Sequence, residues 1–218
     1  MLSQQKVVLF GMALAMTVQF ASAGPMGFKD SFMAMGDFNN NWSEVFANYA
    51  ITPRDAFGVG ATYMRSDDKS KTRTLEELTY TRLIKRWNMP EAQANFWFVG
   101  GIGALQGKDN GQSFDKVMAT PGVQFDYETT RVYVAANYRF YRANDINHDF
   151  VSARAGFSFY ESDYDKTQPW FVLEARNMNG LSNKIEVTPM LRLINKDFFV
   201  EAGVNNSREP RFNFMYIF

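Results

Sequence analysis

Apolar and polar residues alternate along the last segment of the chain, residues 211–218. Every second residue is aromatic, and the residues between them are a mixture of polar and apolar types. A β-strand points successive side chains to opposite faces, so this pattern predicts a strand with one aromatic face. The aromatic positions are Phe212, Phe214, Tyr216 and Phe218.

The same alternation recurs in about twelve segments. In the strand predicted at 148–160, Val151, Ala153 and Phe157 face one side, and Arg154 faces the other. One more strand lies around residues 45–51. The remaining segments lie near 31–38, 56–65, 74–86, 94–105, 114–126, 130–142, 169–177, 184–194 and 197–205.

Strands that are apolar on one face and polar on the other are typical of barrels that cross a membrane. A spanning strand needs about 9–11 residues, which suits these segments. The fold class predicted is therefore all-β, a closed antiparallel transmembrane β-barrel of about 12 strands, with ten strands as the alternative.

Three positions interrupt this pattern. Arg82 would face lipid in the strand at 74–86, so we expect a bulge there, or Arg82 close to the periplasmic rim, where a charge costs little. Pro121 and Pro189 lie inside predicted strands, where the missing N–H predicts a bulge or another irregularity.

The first 23 residues have the pattern of a cleaved signal peptide. Lys6 supplies the positive charge, residues 7–20 are mostly apolar, and Ala21-Ser22-Ala23 is a small-residue cleavage site. The apolar run is shorter than the ~20 residues that a membrane-spanning helix needs. Residues 1–23 are thus predicted to be removed, and residues 24–218 to form one barrel domain.

Composition agrees with an exported barrel and narrows its chemistry. The chain has 21 Phe and a mean hydropathy of −0.31, as expected if apolar side chains face lipid and polar ones face a lumen. It has no cysteine, which excludes disulfides and thiolate-bound zinc. Lys+Arg and Asp+Glu are balanced at 23 each, so no basic face for nucleic acid is implied. We expect no cofactor and no metal.

An enzyme is the less favoured possibility. The one histidine, His148, shares its strand face with Ser152, but four residues of strand separate them by ~13 Å, too far for a nucleophile and its base. There is no G-x-S-x-G motif. The sequence therefore predicts a solvated loop histidine and no catalytic residues.

Inward-facing positions carry the most informative pattern. Heights along neighbouring strands predict three cross-strand ion pairs, Arg154 with Glu174, Arg176 with Glu186, and Arg192 with Glu201. The candidates for the lumen or for its constriction are Asn137, Arg139, Arg154, Glu174, Arg176, Glu186, Arg192 and Glu201. If Glu174 does not neutralise both, Arg139 and Arg154 would form a positive constriction that favours anions.

With its leader, alternating segments and aromatic last strand, the whole chain after the leader resembles bacterial outer-membrane β-barrel proteins. That resemblance implies location in the bacterial outer membrane, contact with lipid and lipopolysaccharide, and recognition of Phe212-x-Phe214-x-Tyr216-x-Phe218 by the barrel-insertion machinery. Length and strand number are also similar to those of small monomeric, porin-like channels for acidic sugars.

Two functions remain open at this point. A polar, charged lumen predicts a narrow passive channel for small polar or anionic solutes. The same charges could instead form ladders that fill and stiffen the interior, which predicts a non-conducting structural or interaction barrel. Eight-stranded barrels are filled by side chains and 16-stranded ones are open, so twelve strands do not decide between them.

Overall fold

The computed structural model describes residues 24–163 and 165–218. The predicted signal peptide, residues 1–23, lies outside this part of the chain. Within it, no helix is long and apolar enough to cross a bilayer. Thirteen strands make up the fold: β1 Phe32–Phe38, β2 Trp42–Ala50, β3 Asp55–Arg65, β4 Lys71–Met89, β5 Ala92–Asp109, β6 Gln112–Ala119, β7 Gly122–Thr129, β8 Val132–Ala143, β9 Ile146–Ser158, β10 Gln168–Asn179, β11 Glu186–Asn195, β12 Phe198–Val204 and β13 Pro210–Ile217.

The strands close into an antiparallel barrel. Apart from β6 and β7, strands that follow one another in sequence pair, and β1 pairs with both β2 and β13, which removes the sheet edges. Thirteen strands occupy twelve positions, because β6 and β7 lie end to end between β5 and β8. We call the end where β1 begins and β13 ends the lower end, and the opposite end the upper end.

The predicted irregularities can be compared with the strand pairing. Pro121 lies in the break between β6 and β7, where the Thr120 amide donates to the Gly101 carbonyl. The β4–β5 register shifts between Leu83 and Lys85, so the bulge expected near Arg82 is confirmed. At Pro189 there is no bulge, since its pairing with β10 continues without a shift, but the pairing of β11 with β12 ends at the next residue, Met190.

Arg82 also occupies the rim position expected for it. Its Nη1 lies 2.9 Å from Asp55 Oδ1, and Asp55 is the first residue of β3 at the lower end. The Tyr80 hydroxyl donates to the same oxygen at 2.7 Å. The guanidinium group of Arg82 therefore forms an ion pair with a carboxylate at the lower end of the outer wall.

The two faces of the wall have inverted polarity compared with a water-soluble protein. Leu78 on the outer face of β4 is 67% exposed, whereas Leu75 on the inner face of the same strand is fully buried. Charged side chains, such as Arg192 and Glu201, are buried in the interior. The expected closed antiparallel β-barrel, with an apolar outer wall and charged side chains inside, is thus confirmed by the strand pairing and by these exposures.

Two connections at the upper end are tight, although residues 107–113 and 142–147 are mostly polar. β5 and β6 are joined by the two-residue turn Asn110-Gly111, and Ala143 pairs with Ile146. Both turn residues of the first hairpin have positive φ, +49° and +85°, which an Asn-Gly pair adopts readily. The strands therefore continue further than their apolar pattern does.

Candidate functional site

The middle of the barrel interior is an ion network. All three ion pairs expected between neighbouring strands are present, because the register places each pair directly opposite. The pairs are Arg154 Nε–Glu174 Oε2 at 2.8 Å, Arg176 Nε–Glu186 Oε2 at 3.2 Å, and Arg192 Nε–Glu201 Oε1 at 2.6 Å.

Further contacts join these pairs to one another. Asp37 on β1 accepts from Arg176 at 3.2 Å and from Arg211 at 2.6 Å. Arg154 reaches Glu201 at 2.7 Å as well as Glu174. The result is one continuous network from β9 through β13 to β1, which depends on barrel closure.

Arg139 belongs to a separate group on the opposite wall. Its Nη2 pairs with Glu77 Oε1, and its Nη1 lies 3.4 Å from Glu44 Oε1. The Thr120 hydroxyl accepts from Arg139 at 2.8 Å and donates to Glu77. Arg139 and Arg154 thus each have their own carboxylates, so Glu174 is not needed to neutralise both. Their role in ion preference stays a prediction.

Glu77 is the important interior residue that sequence reasoning missed. It lies in the strand predicted at 74–86, where Arg82 disturbs the alternation, so the candidate lumen residues do not include it. Its parity was nevertheless informative, since Leu75, Glu77 and Thr79 share a face and are all buried. Arg73, on the same face, is also buried and its Nη1 lies 2.5 Å from His148 Nδ1.

A cavity of about 180 Å³ lies between the two charged groups. Charged, amide and aromatic side chains form its walls. We call it the central chamber. Residues that line it include Asp37, Glu44, Asn137, Arg139, Tyr141 and Arg211. Asn137 was among the predicted lumen residues, and its backbone pairs with Ser152, another chamber residue.

Apolar side chains fill the bore above the chamber. Nine buried residues from strands β2–β6 and β8–β10 and from the β10–β11 loop pack together near the upper end. We call them the upper apolar cluster: Trp42, Met64, Leu75, Leu105, Met118, Tyr141, Ile146, Met178 and Leu181. Sequence reasoning missed this cluster, because inward-facing positions were expected to be polar.

The expected position of His148 was wrong. It is not a solvated loop residue but is buried in the bore, stacked on Tyr141 with ring centroids 4.3 Å apart. Its Nε2 lies 3.2 Å from Met64 Sδ. The reason is that β9 begins at Ile146, so His148 is already inside the strand and points inward.

Loops at the upper rim are held by hydrogen bonds. Asp67 accepts from Asn41 at 3.2 Å and from Ser182 at 2.8 Å, which ties three loops together. Hydrogen bonds from the Ser66 hydroxyl and from the Ser70 amide and hydroxyl lower the pKa of Asp68 to about 2. The hydrogen bonds of Asp67 join the β1–β2, β3–β4 and β10–β11 loops at the upper rim.

The aromatic residues of the last strand lie on the outer wall, as their parity predicts. Phe212, Tyr216 and Phe218 are 45%, 47% and 60% exposed, and Phe214 stacks on Phe38. Phe218 exchanges two backbone hydrogen bonds with Phe32, of 2.7 and 2.9 Å, so the C-terminal residue completes the seam of the barrel. Recognition of this segment by the insertion machinery stays a prediction.

Comparison with known proteins finds similarity only among solved structures. No protein-family model matches the chain, and no curated protein matches it. A KdgM porin structure is 14% identical over 85% of this chain and 98% of its own, with a TM-score of 0.48. The KdgM porin in complex with disordered oligogalacturonate is 13% identical, with the same coverage and TM-score.

A third structure, CdiB from Acinetobacter baumannii, is 10% identical. The match covers 88% of this chain and 61% of that one, with a TM-score of 0.33. Because these identities and TM-scores are low, the fold assignment rests on this chain's own strand pairing. By that pairing and by the polarity of its two faces, the chain is a closed antiparallel β-barrel.

Proposed function

We propose that this protein is a narrow, passive, porin-like channel of the bacterial outer membrane for small polar solutes. The observation that carries the proposal is the central chamber, a cavity of about 180 Å³ bordered by charged side chains inside an apolar outer wall. Polar groups along a bore replace part of the hydration that a solute loses when it enters.

In this proposal the upper end faces outward and the lower end faces the periplasm. The upper apolar cluster then closes the outer entrance in the state described here. Apolar constrictions of this kind block water and ions until side chains move apart. The expected conductance is therefore small and intermittent.

Planar-bilayer recording of the purified protein tests this function. We expect rare, low-conductance openings from protein whose folding is verified by heat-modifiable gel mobility, and none from boiled protein. A complete lack of current from correctly folded protein would contradict the channel.

A non-conducting structural barrel is the second candidate. It is favoured by one specific observation, the filling of the upper bore by nine buried apolar side chains. In that case the ion network stiffens the wall, and opening the apolar cluster by substitution produces no current. We propose no enzymatic activity, since the single histidine contacts Tyr141, Arg73 and Met64 rather than a nucleophile.

The proposed partners follow from the outer wall. A band of exposed apolar side chains suits the acyl chains of outer-membrane lipid, and the polar upper rim suits lipopolysaccharide headgroups. A cavity of about 210 Å³ at that rim is lined by Asn41, Arg65 and Lys184, among others. Assembly by the barrel-insertion machinery completes the set of proposed partners.

A further inference from the structure

The first described residues lie inside the lower end of the barrel. Gly24, Pro25 and Met26 are buried, whereas Phe28 is exposed outside the wall. The chain turns between them at Gly27, where an added Cβ would collide with the Ser31 hydroxyl. A buried polar backbone is found only where something satisfies it, so this segment has specific partners in the bore.

From residue 26 back to residue 24, the segment runs along the inner face of β2 toward the upper end. Met26 packs against Ala50, the last residue of β2. Two residues higher on that strand, Asn48 Nδ2 donates to the Pro25 carbonyl at 2.9 Å. Gly24 then lines the central chamber, as does Glu44, four residues above Asn48. Gly24 and Glu44 therefore line the same cavity.

The residues that line the chamber carry equal numbers of carboxylates and guanidinium groups, but the ion pairs linked to them carry one excess negative charge. Among the described residues, the linked ion pairs contain six carboxylates and five guanidinium groups. The six are Asp37, Glu44, Glu77, Glu174, Glu186 and Glu201, and the five are Arg139, Arg154, Arg176, Arg192 and Arg211.

Of these six carboxylates, Glu44 has the longest ion-pair contact. Among the described residues its one ion-pair contact is with Arg139 at 3.4 Å, and Arg139 is held more closely by Glu77. The Glu44 side chain is 25% exposed and lines the chamber, so a further small cation with N–H donors can reach it and compensate its charge.

We propose that the central chamber binds a primary ammonium group, and that its occupant in the processed protein is the α-ammonium group of Gly24, paired with Glu44. Cleavage after Ala23, which the sequence predicts, would create this group at the point where the segment reaches the chamber. The chain's own N-terminus then closes the lower entrance. The inference goes beyond the proposed channel, because it holds whether or not the barrel conducts.

Amine-reactivity mapping tests the site. The protein purified from outer membranes is treated at pH 7 with an N-hydroxysuccinimide ester, and the N-terminal peptide is analysed by mass spectrometry. An ion pair that favours the charged amine by one pKa unit slows its acylation about tenfold. We expect Gly24 in folded protein to react at least about tenfold more slowly than in urea-unfolded protein. Lys29, which is exposed beside the segment, serves as the internal reference.

Two variants separate the ion pair from simple burial. Glu44→Gln removes the carboxylate but keeps the shape, so we expect most of the protection of Gly24 to disappear. Asn48→Ala removes the donor to the Pro25 carbonyl and should release the segment, with the same result. Glu76→Gln is the matched control, because it makes the same change at an exposed position on the outer wall of β4. It should leave the protection unchanged.

Three outcomes would overturn the proposal. One is a mature N-terminus other than Gly24. Another is equal reactivity of Gly24 in folded and unfolded wild-type protein. The last is full protection in folded Glu44→Gln protein, which would assign the effect to burial alone. None of these depends on current in a bilayer, so a failure of the channel and a failure of this site are distinguishable.

Discussion

Arg139 and Glu77 are 62 residues apart in sequence and form an ion pair inside the barrel. The Glu77 side chain is 1% exposed and that of Arg139 11%. They lie on strands that are not neighbours, β4 and β8, so the contact spans the inward-facing side of β5–β7. This pair shows how the closed wall, rather than any hairpin, brings the interior charges together.

Removal of Glu77 should destabilise the barrel strongly. Glu77→Ala leaves Arg139 with hydrogen bonds to Thr120 and with Glu44, at 3.4 Å, as its carboxylate partner, and breaking a buried pair typically costs about 3–5 kcal/mol. Urea unfolding followed by heat-modifiable gel mobility measures the loss. Glu76→Ala, on the outer face of the same strand, should cause no comparable loss. Equal stability of the two variants would show that the Glu77 pair contributes little.

Gly103 should not tolerate a side chain, whereas Gly60 should. Both pair with Glu77 from either side of β4, but a Cβ on Gly103 would collide with the Glu76 carbonyl. A Cβ on Gly60 would lie 3.6 Å from Glu77 Cγ, an ordinary contact. Overpacking typically costs about 1–3 kcal/mol, so Gly103→Ala should lower the free energy of unfolding by about that amount and Gly60→Ala should not. The same urea titration distinguishes them.

The upper apolar cluster should act as the barrier to conduction. Leu75→Ser places a hydroxyl among buried apolar side chains, and polar groups favour wetting of a constriction. We expect more frequent or larger openings in planar bilayers than for the wild-type protein. Leu78→Ser, on the outer wall of the same strand, is the control and should leave the current unchanged. A lack of current from folded Leu75→Ser protein would favour the non-conducting structural barrel.

Neutralising Arg154 should shift the ion preference of the bore toward cations. In Arg154→Gln, Glu174 keeps its contact with Arg211 at 2.8 Å and Glu201 keeps Arg192 at 2.6 Å, so the fold should survive. One positive charge is nevertheless lost beside the central chamber. Reversal potentials in a salt gradient measure the shift. Arg208→Gln, in the β12–β13 loop, should leave the reversal potential where it is; an equal shift would assign the effect to surface charge.

Phe218 should contribute more to the barrel seam than Phe212. Phe218 stacks on Phe32 at 5.7 Å and on Tyr216 at 5.4 Å, and each such pair is worth about 0.5–1.5 kcal/mol. Phe218→Ala should therefore cost about 1–3 kcal/mol and lower the folded fraction in outer membranes. Phe212 pairs only with Phe214, at 6.4 Å, among the described rings, so Phe212→Ala should cost less. A larger loss of stability in Phe212→Ala than in Phe218→Ala would argue against a special role for Phe218.

The sequence by itself determined the strands, their faces and the short-range pairs. Period-two alternation decides which side chains share a face, and a hairpin fixes the register of its two strands. For that reason Arg154–Glu174, Arg176–Glu186 and Arg192–Glu201 could be predicted by counting along neighbouring strands.

Only the tertiary structure decided which inward-facing side chains meet across the bore. Asp37 pairs with Arg211 because β1 closes on β13, and Arg139 meets Glu77 because the wall curves between β4 and β8. The burial of His148 and the upper apolar cluster arise in the same way. Strand parity states that a side chain points inward, but its partners depend on the stagger and curvature of the closed barrel, which no local pattern encodes.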